Sequence, residues 1–110
     1  MANFFSNFEV VVTEPEDLPP PRRDVHATKD KLGGYLLEVN RGSGYFRDIF
    51  GEQCRFTKHE RQQLKLFAIE AFLTRCHEAR QEFLPEVTDK REVRRALMKL
   101  AEAAIERGEL

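Results

Sequence analysis

The clearest pattern along the chain is a long run of apolar residues at helical spacing in its C-terminal half. It begins at Thr57, which together with Glu60 matches a capping box, in which a hydroxyl and a carboxylate satisfy free backbone N–H groups at a helix start. The pattern continues to Pro85, whose ring and missing N–H are incompatible with a continued helix. We therefore predict one helix over about 58–84.

A second apolar stripe follows after a short connection. Asp89 or Thr88 can cap its start, and Gly108 can end it. The apolar residues of the stripe are Val93, Ala96, Leu97, Leu100, Ala101, Ala104 and Ile105. This pattern predicts a helix over about 89–107, and the short connection predicts that the two helices form an antiparallel hairpin.

The N-terminal segment has a different character. Residues 8–13 combine three valines with an aromatic residue, which favours a short strand, but a lone strand cannot satisfy its own hydrogen-bond ladder. Residues 14–24 hold four of the five prolines and favour an extended path without internal hydrogen bonds. We therefore interpret 1–27 as a strand followed by a proline-rich arm, and 28–110 as a single small helical domain.

The segment between this arm and the long helix is ambiguous. Four of its apolar residues have the spacing of one helix face, namely Leu32, Tyr35, Leu36 and Val39. Gly33 and Gly34 weaken such a helix by about 2 kcal/mol relative to two alanines, so a strand over 35–39 is the alternative. As a strand, this segment would be the partner that residues 10–12 need.

Four large apolar residues precede the long helix. They are Tyr45, Phe46, Ile49 and Phe50, and their spacing predicts a short helix that Gly51 ends. Together, these patterns predict a mainly α fold. It consists of a C-terminal antiparallel helical hairpin, one or two shorter helices before it, and a short N-terminal strand.

Composition is that of a small soluble protein. Of its 110 residues, 41% are hydrophobic and 34% are charged, and the formal net charge is -1. No run approaches the roughly 18 apolar residues that a membrane-spanning helix needs, and the N-terminus lacks the pattern of a secretory signal. The two cysteines are too few for a disulfide framework. We expect a cytoplasmic protein without membrane partners.

No pattern of reactive residues predicts catalysis. The residues of zinc-ligand type are Cys54, His59, Cys76 and His77. Cys76 and His77 are adjacent and would point about 100° apart on a helix, which does not suit a zinc site. A cysteine and histidine pair lacks a third orienting group, and neither serine lies in a hydrolase motif. We predict a non-enzymatic protein with no catalytic, metal-binding or cofactor-binding residues.

The long helix carries the main functional signal. Apolar residues cover most of its circumference over positions 64–73, which is more than one hairpin partner can bury. On a small soluble protein an uncovered apolar strip typically marks an interface, while the core of a closed monomer is the alternative. We predict a helical protein–protein interaction module, a regulator, adaptor or inhibitor, that binds a protein partner or a second copy. The predicted partner-binding residues are Tyr45, Phe46, Phe50, Phe67 and Phe72.

Basic residues on the last helix support a second hypothesis, a small nucleic-acid-binding protein. The residues of this basic face are Lys90, Arg91, Arg94, Arg95 and Lys99. Such a face would bind phosphates in a salt-dependent manner. Acidic residues are interspersed with it, and charged helix faces are usually only solvated, so nucleic acid is the less favoured partner.

Overall fold

The computed structural model describes residues 3–110, which form an α/β fold. The strands are β1 (Phe8–Thr13), β2 (Val25–Lys29) and β3 (Tyr35–Asn40), and the helices are α1 (Gly44–Phe50), α2 (Lys58–Arg75), α3 (His77–Phe83) and α4 (Val93–Glu106). All three strands belong to one sheet, and the helices follow it in the chain. The prediction of a mainly α fold built on a helical hairpin is therefore wrong.

The sheet has the strand order β1-β3-β2. β1 runs parallel to β3, with Val10 beside Leu37 and Val12 beside Val39, while β2 runs antiparallel to β3. The strand predicted over residues 8–13 is confirmed, and so is the strand alternative for 35–39. The partner that the N-terminal strand requires is thus the segment that the sequence left ambiguous.

The turn between β2 and β3 explains why residues 28–39 do not form a helix. Gly33 has a φ of 92°, a conformation that favours glycine, and the Asp30 carboxylate accepts hydrogen bonds from the N–H groups of Leu32 and Gly34 at 2.7 and 3.0 Å. Leu32 is fully exposed and does not belong to an apolar helix face. The glycine pair therefore defines a hairpin turn.

The proline-rich segment between β1 and β2 bends back on itself. It includes a 3-10 turn at Pro15–Asp17, and its Leu18 side chain is buried. The Arg22 Nε donates a hydrogen bond to the Pro15 carbonyl at 2.9 Å. This course brings the chain from the end of β1 to β2 on the far side of β3.

One face of the sheet packs against α2 to form the core. The largest fully buried side chains are Phe5, Phe8, Val25, Leu37, Val39, Phe46, Ile69, Leu73 and Val93. They come from all three strands, from the turn that precedes β1 and from α1, α2 and α4, so a single core joins the N-terminal and C-terminal halves.

The predicted helix over 58–84 is interrupted. Its start is confirmed, because Thr57 and Glu60 form the expected capping box, but Cys76 is extended, with φ -100° and ψ 104°. The Arg80 guanidinium donates hydrogen bonds to the carbonyls of Leu73 and Thr74, both at 2.9 Å. These bonds satisfy carbonyls that the break leaves without helical partners.

The last helix begins as its capping residue predicted. The Asp89 side chain accepts a hydrogen bond from the Arg91 N–H at the start of a short 3-10 turn, and α4 continues from it. Arg94 of α4 contacts Glu70 of α2, while Gln62 reaches the carbonyl of Leu110 at 2.9 Å, so the two helices run antiparallel. No helix within residues 3–110 has both the length and the apolar character needed to cross a membrane.

Candidate protein-interaction groove

An apolar groove lies between α2 and α4, and we call it the α2–α4 groove. Its volume is about 430 Å³. The apolar side chains that line it are Tyr45, Leu66, Phe67, Leu97, Met98 and Ile105. Met98 is 47% exposed and Ile105 is 48% exposed, although both are large and apolar. A solvent-facing apolar cluster of this kind is typical of a contact surface for another protein.

The floor of the groove is an aromatic stack. The rings of Tyr45 and Phe67 are parallel within 4°, and their centroids are 3.6 Å apart. The position of Tyr45 follows from the start of α1, where the Ser43 hydroxyl accepts a hydrogen bond from the Phe46 N–H at 3.2 Å. Burial, and to a smaller extent the Glu70 carboxylate, raises the pKa of Tyr45, so its hydroxyl stays protonated at neutral pH.

An ion pair bounds the groove on one side. The Arg94 guanidinium binds the Glu70 carboxylate through two hydrogen bonds, one of them 3.2 Å long between Nη2 and Oε2. The hydrogen bond and the charge of Glu70 raise the pKa of Arg94 above its ordinary value. Because each charge has its counter-ion, this side of the groove is close to neutral.

The predicted partner-binding residues divide into two groups. Tyr45 and Phe67 are half-buried and meet in the α2–α4 groove. Phe46, Phe50 and Phe72 lie in the core, where they are 0%, 6% and 4% exposed. A partner on the surface can therefore contact the first two rings, while the other three stabilise the fold.

Met98 and Ile105 were not among the predicted partner-binding residues. The apolar stripe predicted for the last helix included Ile105 but not Met98. In the sequence, these two residues could have been recognised by their spacing of seven residues, which places both side chains on one helix face at the edge of the apolar stripe.

The basic residues of the last helix are partly neutralised. Arg91 binds the Asp89 carboxylate through contacts of 2.7 to 3.1 Å, which lower the pKa of Asp89 to about 2. Arg94 binds Glu70. The other three, Lys90, Arg95 and Lys99, are exposed. With two of five cations already paired, the basic face offers less charge to a phosphate backbone than its sequence suggests.

The residues of zinc-ligand type do not assemble. Cys54 is exposed, Cys76 is half-buried, and both are free thiols. Within the range 3–110, no three or more histidine, cysteine, aspartate or glutamate side chains are arranged to hold a metal ion.

Comparison with other proteins adds no name to this surface: the chain matches no family model, no curated protein and no solved structure.

Proposed function

We propose that this chain is a non-enzymatic protein-interaction module that pairs with a second copy of itself through α4. The observation that carries the proposal is the exposure of Met98 and Ile105 beside the α2–α4 groove. Seven residues apart on one helix, they form the apolar seam that two packed helices need. A two-fold arrangement would use the same seam and the same groove on both copies.

The charges beside this seam favour an antiparallel pair. Arg95 lies in the first half of α4 and forms no ion pair within residues 3–110, while Glu102 and Glu106 lie in the second half of the helix. When two α4 helices run in opposite directions, the basic half of each faces the acidic half of the other. This complementarity supports a second copy as the occupant of the groove.

We further propose that the paired module acts in the cytoplasm as a regulator, adaptor or inhibitor of another protein. Two free thiols suit a reducing compartment. Because pairing through α4 leaves the face of the sheet that points away from α2 uncovered, the dimer would keep a separate surface on each copy for a further partner.

The test is the solution mass, measured by light scattering over a range of concentrations. We expect twice the 12.9 kDa of the chain for the wild type and the single-chain mass for Met98→Glu and Ile105→Glu. The matched control is Leu100→Glu, because Leu100 is an exposed apolar residue of α4 that lines a different groove. The control should remain dimeric, and circular dichroism should be the same for all four proteins.

A charge exchange tests the direction of the pair. Arg95→Glu and Glu106→Arg should each weaken the dimer, and the double exchange in one chain should restore it, since opposite charges would again face each other. A wild-type protein that stays monomeric at every concentration would overturn the proposal.

A further inference from the structure

One edge of β1 carries backbone groups that have no hydrogen-bond partner within residues 3–110. The Thr13 carbonyl accepts a hydrogen bond from the Arg41 N–H at 2.9 Å, immediately after β3. In a parallel ladder, the N–H and carbonyl groups of every second residue point to the same neighbouring strand. The backbone groups of Glu9, Val11 and Thr13 therefore point towards β3, and those of the residues between them point outwards. The outward groups are the Phe8 carbonyl and the N–H and carbonyl groups of Val10 and Val12. No group within residues 3–110 forms a hydrogen bond with them.

A groove runs beside this edge, between β1 and the first half of α2, and we call it the β1-edge groove. Its volume is about 690 Å³, larger than the roughly 430 Å³ of the α2–α4 groove. Its apolar lining includes Val10 and Val12 of the strand and Phe56 and Leu64 on the helix side, and one carboxylate, the exposed Glu9 of the strand, also lines it. A chain laid along β1 would therefore have its backbone beside open hydrogen-bonding groups and one of its faces against α2.

Cations line the helix side of this groove. Arg61 and Lys65 lie four residues apart, one helical turn, and both border the groove. In the described part of the chain no carboxylate lies within ion-pair distance of either one. Within residues 3–110 the Arg61 guanidinium donates only to the Phe56 carbonyl, at 2.7 Å, and burial lowers the pKa of Lys65. A third cation, Arg41, already has Glu14 as its partner at 3.0 Å.

We infer that the β1-edge groove binds an extended acidic segment of another protein, which joins the sheet as a fourth strand beside β1. The outward groups of Val10 and Val12 bind its backbone, as in other cases of strand addition to an open edge. Its carboxylates on the face towards α2 pair with Arg61 and Lys65, which relieves the burial of an unpaired lysine charge. The six residues of β1 span about 20 Å, so the bound segment has a similar length.

The same cations argue against a second copy at this edge. In a two-fold pair of β1 strands, the α2 helices of both copies would lie on the same side of the joined sheet. Arg61 and Lys65 of each copy would then approach those of the other without counter-ions. The inference is independent of the α4 pair, because it uses a different surface and a different readout.

The first experiment measures binding of a fluorescein-labelled, terminally blocked peptide of eight residues that alternates glutamate and threonine. Fluorescence anisotropy of the full chain at low salt should show saturable binding, and the same peptide with lysine for glutamate should not bind. Lys65→Met should weaken binding about tenfold, the effect of one charge-assisted contact. The matched control, Lys99→Met on α4, should leave the affinity unchanged.

The second experiment tests the backbone. Val10→Pro removes one outward N–H and should abolish peptide binding, whereas Val10→Ala keeps that N–H and should bind within about threefold of the wild type. The peptide offers a test that does not alter the protein. N-methylation of one alternate set of its amides should prevent binding, and N-methylation of the other set should not.

Three outcomes would overturn the inference. The first is absence of saturable binding by the glutamate peptide. The second is equal binding of both N-methylated peptides, which would mean that the peptide does not join the sheet. The third is a folded Val10→Pro protein whose solution mass falls to that of one chain, because β1 would then be the contact between copies. Loss of the dimer in Ile105→Glu supports the α4 pair and has no bearing on the β1 edge.

Discussion

The two edges of the sheet differ in how they are protected. At the β2 edge, the Asn40 N–H donates a hydrogen bond to the Asp24 carbonyl, so the backbone N–H and carbonyl of the next residue, Val25, point away from β3. The Val25 carbonyl accepts a hydrogen bond from the Arg75 guanidinium at 2.8 Å. The last residue of β2 on the side of the sheet that packs against α2 is Lys29, which is exposed, and a lysine on an edge strand is a common protection of sheet edges. The corresponding positions of β1 are Phe8, Val10 and Val12, all apolar and without such a cap.

This difference shows that the protection of a sheet edge depends on a few side chains and not only on the position of the strand. A guanidinium and a lysine protect the β2 edge, while at the β1 edge the nearest cations lie across a groove instead of on the backbone. The protection of the β2 edge and the recognition proposed at the β1 edge thus depend on the same residue types, placed at different distances from the strand.

The largest expected effect separates the two sides of β1. Val11→Pro removes an N–H that faces β3 and should lower the free energy of unfolding by about 3 kcal/mol, because it breaks the central ladder. Val10→Pro removes an outward N–H and should cost less than about 1 kcal/mol. Urea denaturation measures both. Equal losses would contradict the assignment of inward and outward groups.

A smaller effect is expected when the edge cations are removed. Arg75→Met leaves the Val25 carbonyl without its donor and should lower the free energy of unfolding by about 1 to 3 kcal/mol. Arg61→Met at the β1 edge should change it by less than about 0.5 kcal/mol, since its contact is exposed. If both variants lose the same stability in urea, the β2 edge has no special cap.

Removing the charge of Lys29 in β2 should alter association more than stability. Lys29→Val should change the free energy of unfolding by less than about 0.5 kcal/mol, yet promote association through an edge that is now apolar. Light scattering at increasing concentration measures this. Lys31→Val, an exposed lysine beyond the strand, is the control and should behave as the wild type. Unchanged association of Lys29→Val would show that the β2 edge does not depend on this charge.

The smallest effect is a pH dependence at the β1 edge. Burial lowers the pKa of Lys65 from its ordinary 10.5, so in alkaline solution the folded chain loses this proton before the unfolded chain does. The unfavourable contribution of Lys65 is complete below its folded pKa and disappears above 10.5. The stability of the wild type relative to Lys65→Met should therefore rise with pH in this window. Urea denaturation at several alkaline pH values checks it, and a falling difference would contradict it.

Local signals in the sequence predicted the elements that depend on neighbours in the chain. The capping box of Thr57 and Glu60 and the cap at Asp89 were read correctly, because each motif lies within four residues. The break at Cys76 carries no glycine or proline and depends on Arg80 reaching back to α2, so it left no local signal. β2 was missed because only Val25 and Ala27 mark its inner face.

The candidate groove was predictable only in part. The sequence marked Tyr45 and Phe67 as aromatic contacts, and the structure brings them together. The burial of Phe46 and Phe72 depends on what covers them, including a sheet that the helical interpretation did not contain. Whether an aromatic ring belongs to a surface or to a core is therefore decided by distant partners, and local spacing alone cannot distinguish the two.

The order of the strands has a consequence for the growing chain. β1 is made first, but its partner β3 begins 27 residues later, since Phe8 pairs with Tyr35. The hairpin of β2 and β3 closes through a local turn. The pairing of β1 with β3 joins residues far apart in the sequence, and such non-local pairing is slow. During synthesis both edges of β1 are therefore open, and one remains open afterwards. A segment bound there would stabilise the completed fold over its unfinished forms.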